Sequence, residues 1–296
     1  MSRSDVTRGL LLGTLGVVIF AMTTPMTRLA VGDVSAPQLP PAFVTAGRAA
    51  VAGVLSALYL LALRVAWPAR RHWRGLAVSA LGTVVGFPLF LALALRQVDA
   101  MHAAVVTGVL PLGTAAVAAV VLRQRPSLGF WACALLGAAL VIGFAAWQGS
   151  GSLSAADGLL LLAVLSASIG YVAGARVSAE VPAQQVICWV LVLSMPLVLP
   201  VTWWVRPTAP ATAAAWVGFG YVSLFSMWLG FFAWYRGLAL GGVMRVSQVQ
   251  LLQPFLTLLF AVPVLGERLE PGTLVFALLV MAVVFAGRKM PVDRRA

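Results

Sequence analysis

Ten stretches of about 20 mainly apolar residues, joined by short polar links, set the limits on what this chain can fold into. They fall near 9–27, 41–63, 74–95, 101–122, 128–147, 157–175, 185–205, 213–235, 244–264 and 271–287. Each is the length an α-helix needs to cross the hydrocarbon core of a bilayer. Charged residues make up 9% of the 296, against about 25% in a soluble domain, so the chain could not cover itself in water. Its 61% apolar content is too high for a barrel whose strands alternate between lipid and lumen. The expected class is all-α integral membrane with ten transmembrane helices. Arg3 and Arg8 precede the first stretch much as in a signal peptide. That stretch runs from Leu10 to Thr27, long enough to span, and is read as an uncleaved first helix.

The net charge of +12 would suit nucleic acid if the arginines were gathered on one soluble face. They sit between apolar stretches in ones and twos, where positive charge sets membrane orientation, and no nucleic-acid partner is expected. With ten spans, fifteen Arg and Lys residues fall on the side of the N-terminus, including Arg64, Arg70, Arg71, Arg74 and Arg176. Four fall on the other side: Arg28, Arg96, Arg206 and Arg268. Positive-inside bias therefore predicts a multi-pass protein with both termini cytoplasmic; a bacterial-type inner membrane is the expected location. Cys133 and Cys188 lie inside apolar runs without metal-ligand spacing and are read as core residues.

Residues 87–147 align with 230–290 at a fixed offset of 143. Pro111 falls on Pro254, Leu122 on Leu265, Arg125 on Arg268 and Gly129 on Gly272. Thr107 meets Gln250 and Thr114 meets Thr257. Five helices per half is an odd number, so the second half must insert upside down. The expected organisation is a first five-helix repeat over 1–148, a linker over 149–156 and a second, inverted repeat over 157–296.

These features resemble the drug/metabolite transporter superfamily, in its ten-helix EamA-type branch. The likeness is carried by Gln253-Pro254 through Leu265-Gly266-Glu267-Arg268, then Pro271 and Gly272, with a weaker copy at Leu110-Pro111 through Leu122-Arg123-Gln124-Arg125 and Gly129. Within that branch the chain is similar to bacterial YddG-like exporters of amino acids. The resemblance implies two five-helix bundles around a central cavity. It also implies alternating access without ATP, cofactor or covalent chemistry, with a small-molecule substrate and the lipid bilayer as partners. A monomer or weak oligomer is expected.

Polar residues inside spans point to where a solute could pass, because each costs free energy in lipid unless it meets a partner or water. Ser247, Gln250, Gln253 and Thr257 share about 120° of arc on the ninth stretch if it is α-helical. Thr107 occupies the repeat-equivalent position on the fourth. Thr23 and Thr27 flank Pro25 on the first, and Ser168 and Tyr171 lie on the sixth. The third stretch carries Thr83 and Phe87, whose counterpart face on the eighth holds Ser226. Trp228 belongs to a different face of the eighth, an aromatic stripe with Tyr221, Phe225, Phe232 and Tyr235. His102 opens the fourth stretch. These residues are the expected cavity lining, with interhelical hydrogen bonding as the competing role. Arg48 lies within the second stretch, where snorkelling toward the interface is the expected behaviour and a substrate carboxylate is the alternative partner. Gly82/Gly86 and Gly9/Gly13 have the small-xxx-small spacing of close helix contacts.

No Asp or Glu lies in the middle of a stretch, which argues against tight proton coupling and against a carrier of lipophilic cations. No nucleophile-and-base arrangement, Walker loop or Rossmann fingerprint is present, so no enzyme activity is expected. Export of neutral or zwitterionic metabolites, amino acids above all, is the leading expectation. Multidrug efflux of lipophilic compounds and a non-transporting membrane scaffold stand as the alternatives.

Overall fold

The structure is a computed structural model, and it describes residues 3–121, 125–148, 153–241, 247–290 and 292–293. Among the described residues, eight helical segments are long and apolar enough to cross a membrane: α1 (Asp5–Val31), α2 (Pro41–Ala62), α3 (Arg70–Ala94), α4 (Ala100–Val121), α5 (Leu128–Gln148), α6 (Ala155–Val177), α7 (Ala183–Trp204) and α8 (Ala213–Gly237). Two shorter apolar helices follow, α9 (Gln253–Leu265) and α10 (Pro271–Gly287). The strand content of the described residues is one two-residue antiparallel pairing, Arg125 and Pro126 with Asp293 and Val292.

The helices are interrupted where the sequence demands it. In α1 the regular ladder stops at Ala21 and restarts at Thr23. Pro25 has no N–H, so the Ala21 carbonyl loses its helical donor. Thr257 Oγ1 donates to that oxygen at 2.9 Å from α9. A break in one helix is thus closed by the side chain of another. Gly266 ends α9 at φ +70°, a left-handed cap that costs glycine nothing.

The ninth stretch departs from expectation. Residues 247–252 form a tight 3-10 turn, and α-helix begins only at Gln253. Pro254 in the first turn explains this, because proline is tolerated there but cannot continue a ladder entering from upstream. The fourth stretch does the same thing one repeat earlier. Its helix breaks after Thr107 and resumes at Leu110, ahead of Pro111, and Leu110 is the counterpart of Gln253 at the offset of 143.

The same offset relates two wide, π-helical stretches. One spans Ala80–Gly86 in α3 and the other Val222–Leu229 in α8. Such under-wound turns are rare and concentrate at functional positions.

Helix α1 packs along α8, α3 along α6, α2 along α7 and α5 along α10. Helix α9 lies against α1 and α4, and α4 lies against α6. Close approach is set by glycines. A Cβ on Gly82 would meet the Gly170 Cα at 2.7 Å, and one on Gly237 would meet the Gly13 Cα at 2.9 Å. Both of the small-xxx-small pairs seen in the sequence lie in such contacts: Gly86 sits against Ser166, and Gly237 reaches the Gly9 carbonyl as well. Exposed large apolar side chains such as Leu11, Leu58, Leu135, Leu165 and Val217 cover the outside of the bundle, the distribution expected of a chain solvated by lipid.

Candidate functional site: a cavity lined by both halves

A cavity of about 620 Å³ lies between the helices, and a second chamber of about 480 Å³ adjoins it. Thr24, Thr107, Leu110, Tyr171, Gln250 and Gln253 line both. Together the chambers fall within or above the range of small-molecule sites, about 300–1,000 Å³.

The breaks described above position the polar groups. In the first half, Thr83 sits in the wide turn of α3 and donates to the Ser79 carbonyl at 2.7 Å. In the second, Ser226 sits in the wide turn of α8. Thr107 ends the first part of α4 and donates to Ala103 O at 2.7 Å. Gln250 and Gln253 flank the start of α9. A hydroxyl spent on its own helix leaves its oxygen lone pairs facing the cavity, and the two glutamines present both donors and acceptors.

Ser226 is the junction of three helices. Its Oγ lies 2.8 Å from Thr23 Oγ1 of α1 and accepts from Arg48 Nη2 of α2 at 2.9 Å. Arg48 is only 4% exposed, so it does not snorkel to the interface as expected from the sequence. It faces the cavity instead. Snorkelling needs a helix face open to lipid, and this face of α2 is buried from Phe43 to Ala50.

The other expected residues divide. Thr23, Thr83, Phe87, Thr107, Tyr171, Ser226, Gln250 and Gln253 border the cavity. Thr27 does not; it is buried and donates to Thr23 O at 2.7 Å. Ser168 is fully buried and receives Thr114 Oγ1 at 3.4 Å, holding α6 against α4. Trp228 packs among the α2 and α7 side chains and on Phe232, its ring nitrogen buried without a partner. Ser247 belongs to the 3-10 turn, and its side chain lies outside the described residues. Sequence reasoning missed Phe231 and Trp234, which join Tyr235 in an aromatic wall of the larger chamber. Their signal was hidden because the wide turn of α8 shifts every later residue relative to a 100° wheel.

His102 is also away from the cavity. Its Nε2 lies 2.6 Å from Asp157 Oδ1, and both side chains are buried. Asp157 lies at the start of α6, where Ser154 N and Oγ both donate to its Oδ2, at 2.8 and 2.7 Å. The neighbouring helix α4 nonetheless encloses it, giving the protein a buried carboxylate and histidine pair that hydropathy alone did not show.

The two ends of the cavity differ. The larger chamber reaches Ser178, Ala179 and Ala183 at the α6–α7 turn. The opposite end of the bundle carries a set of interhelical ties. Arg28 donates to Leu95 O and lies 3.6 Å from Asp33 and 3.9 Å from Asp99. Arg96 donates to the Val31 and Leu39 carbonyls, each at 3.3 Å. Glu267 accepts from the Ala100 and Met101 N–H groups at 2.7 and 2.9 Å, holding the α9–α10 turn on the start of α4. Burial pushes the Glu267 carboxyl above the ordinary carboxylate range, opposed by those two N–H donors. Among the described lining residues of both chambers, Arg48 is the one charged side chain.

The EamA-like transporter family matches the chain twice, over residues 7–145 and 154–286. An uncharacterized transporter of Bacillus subtilis, YdeK, is 43% identical over 288 residues, covering 97% of this chain and 99% of that protein. A solved crystal structure at 20% identity aligns with a TM-score of 0.64 and covers 97% of both chains, a likeness of fold.

Proposed function

Because the chain belongs to the EamA-like transporter family, and so is a membrane transporter rather than an enzyme, we propose that it exports small neutral or zwitterionic metabolites, amino acids among them, by alternating access. The observation that carries this reading is the shared lining of the cavity. Thr83 and Ser226, Thr107 and Gln250, and Leu110 and Gln253 are three pairs related by the offset of 143, and all six border one space. A solute in that space touches corresponding surfaces of both halves, which is what a carrier built from repeats needs in order to bind equally from either side.

In this reading α9 and α10 are the ninth and tenth spans, and 1–148 and 157–296 are inverted repeats. The helix pairs support it: exchanging each helix for the one five places along turns the α1–α8 contact into the α6–α3 contact, leaves α2–α7 and α5–α10 unchanged, and turns α1–α9 into α6–α4. Both termini then lie in the cytoplasm, and the α6–α7 turn with them. The cavity opens to the cytoplasm and the Arg28, Arg96 and Glu267 contacts close the external side, a resting state suited to loading solute from within. Lipophilic cations are disfavoured, since the described lining offers them no carboxylate.

Uptake of radiolabelled amino acids into proteoliposomes tests the proposal. Uptake of at least one amino acid down its own concentration gradient, lowered by Gln250→Ala and by Tyr171→Ala, is the expected result. Expulsion of lipophilic dyes with no amino-acid movement would replace this reading with multidrug efflux.

A further inference from the structure

Arg48 is an unusual residue to leave where it lies. It is 4% exposed within a membrane-spanning helix, a position where a charge is costly and is normally neutralised by a partner. No acidic group supplies one: the ion pairs among the described residues involve Arg28, Arg71, His72 and His102. Its Nη2 donates to the Ser226 hydroxyl, a neutral acceptor, and its buried Nε has no partner at all. The guanidinium nevertheless borders the larger chamber, alongside Thr23, Tyr171 and Ser226. A buried cation with vacant donors, facing a space that holds no competing charge among the described residues, is built to receive an anion.

We propose that Arg48 docks the carboxylate of the transported solute, so that the cavity selects solutes bearing a carboxyl group and rejects their uncharged or cationic analogues. This rests on the transporter reading above and adds the substrate class. The planar guanidinium matches a carboxylate's two oxygens. The Thr23–Ser226 hydroxyl pair fixes the fork from behind, and the π-helical turn that carries Ser226 is what brings that hydroxyl to α2. The remainder of the solute lies toward Phe87, Phe231, Trp234 and Tyr235. An amino-acid ammonium group finds aromatic faces there and the acceptor oxygens of Gln250 and Gln253 beyond.

The test compares carboxylates with their amides. Wild-type protein in proteoliposomes is offered radiolabelled phenylalanine, leucine and glutamine, then phenylalaninamide and leucinamide, with Arg48→Gln and Arg48→Lys beside it. Folding of each variant is checked by thermal stability in detergent. The wild type is expected to take up the acids and ignore the amides. Loss of a charge-assisted contact of about 1.5–3 kcal/mol should weaken acid uptake by Arg48→Gln about 10- to 100-fold, while Arg48→Lys, which keeps charge but not the fork, retains a measurable part of it. If Arg48→Gln does not fold, the Arg48→Lys comparison and the wild-type preference decide. Equal uptake of acids and amides, or an Arg48→Lys variant indistinguishable from wild type together with a folded Arg48→Gln that still moves acids, would overturn the proposal and leave the transporter reading intact. Movement of neither class overturns both.

Discussion

Replacing Gly82 by leucine is expected to abolish the folded protein. The first atom of any side chain there would lie 2.4 Å from the Ser166 carbonyl oxygen and 2.7 Å from the Gly170 Cα. Both obstacles are backbone, so neither can swing aside. Relief requires α3 and α6 to part along their length. Helices in lipid gain little from the hydrophobic effect and are held by close packing that small residues permit, so parting them removes the association itself. Overpacking that neighbouring side chains can absorb costs about 1–3 kcal/mol, and a collision with backbone lies at or above the upper end. Gly237→Leu should behave alike, because its Cβ would meet Gly13 N at 2.6 Å and the Gly9 carbonyl at 2.9 Å. Gly143→Leu is the control, since a Cβ there has open space around it. Size-exclusion behaviour and Tm in detergent provide the readout. A Gly82→Leu protein that is monodisperse with the wild-type Tm would show the contact to be slack.

The second large effect concerns His102 and Asp157. At 2.6 Å and buried together, they stabilise the packing of α4 on α6 only as a pair. Removing one partner leaves the other buried without this hydrogen bond, which costs about 1–3 kcal/mol. Asp157 keeps its two Ser154 contacts, and the His102 ring also rests on Phe144 at 5.1 Å between centroids. His102→Ala should therefore lower Tm substantially, and Asp157→Ala should do so as well. The double variant should lose less than the sum of the two, because it strands no buried polar group. Strictly additive losses would mean that the two residues act independently and that the short contact carries no coupling.

These two predictions mark the reach and the limit of the sequence. The glycine contacts were visible as Gly82/Gly86 and Gly9/Gly13 spacing, since a four-residue interval places small residues on one face whatever the partner helix. The repeat was equally visible, and Thr107 with Gln250 followed from it. The His102–Asp157 pair was not visible. Hydropathy locates Asp157 at a helix end, and only the packing of α4 across that end buries it. Arg48 stood out as a charge within a span, but its direction depends on which faces of α2 are covered by α7 and α8. The helix wheel misplaced Trp228 and overlooked Trp234 for one shared reason: it assumes 100° per residue through Val222–Leu229, where the chain runs wide. For Ser168 and Thr27 the sequence leaves cavity lining and hydrogen bonding within the bundle as competing roles, and both hydroxyls serve neighbouring protein groups. Local pattern reports which residues are polar. Whether a polar group meets solute or protein is decided by neighbours distant in the chain.

The most direct test of the central claim is access to Thr107, which lines both chambers. Thr107→Cys is placed in a Cys133→Ala, Cys188→Ala background and labelled with a membrane-impermeant maleimide in vesicles of known orientation. The cytoplasmic face should give rapid labelling and the external face almost none. Adding Glu267→Ala with Arg28→Ala, which unties the external closure, should transfer labelling to the external face. Labelling from neither face, or from the cytoplasmic face alone with the closure removed, would contradict a route that opens alternately to the two sides.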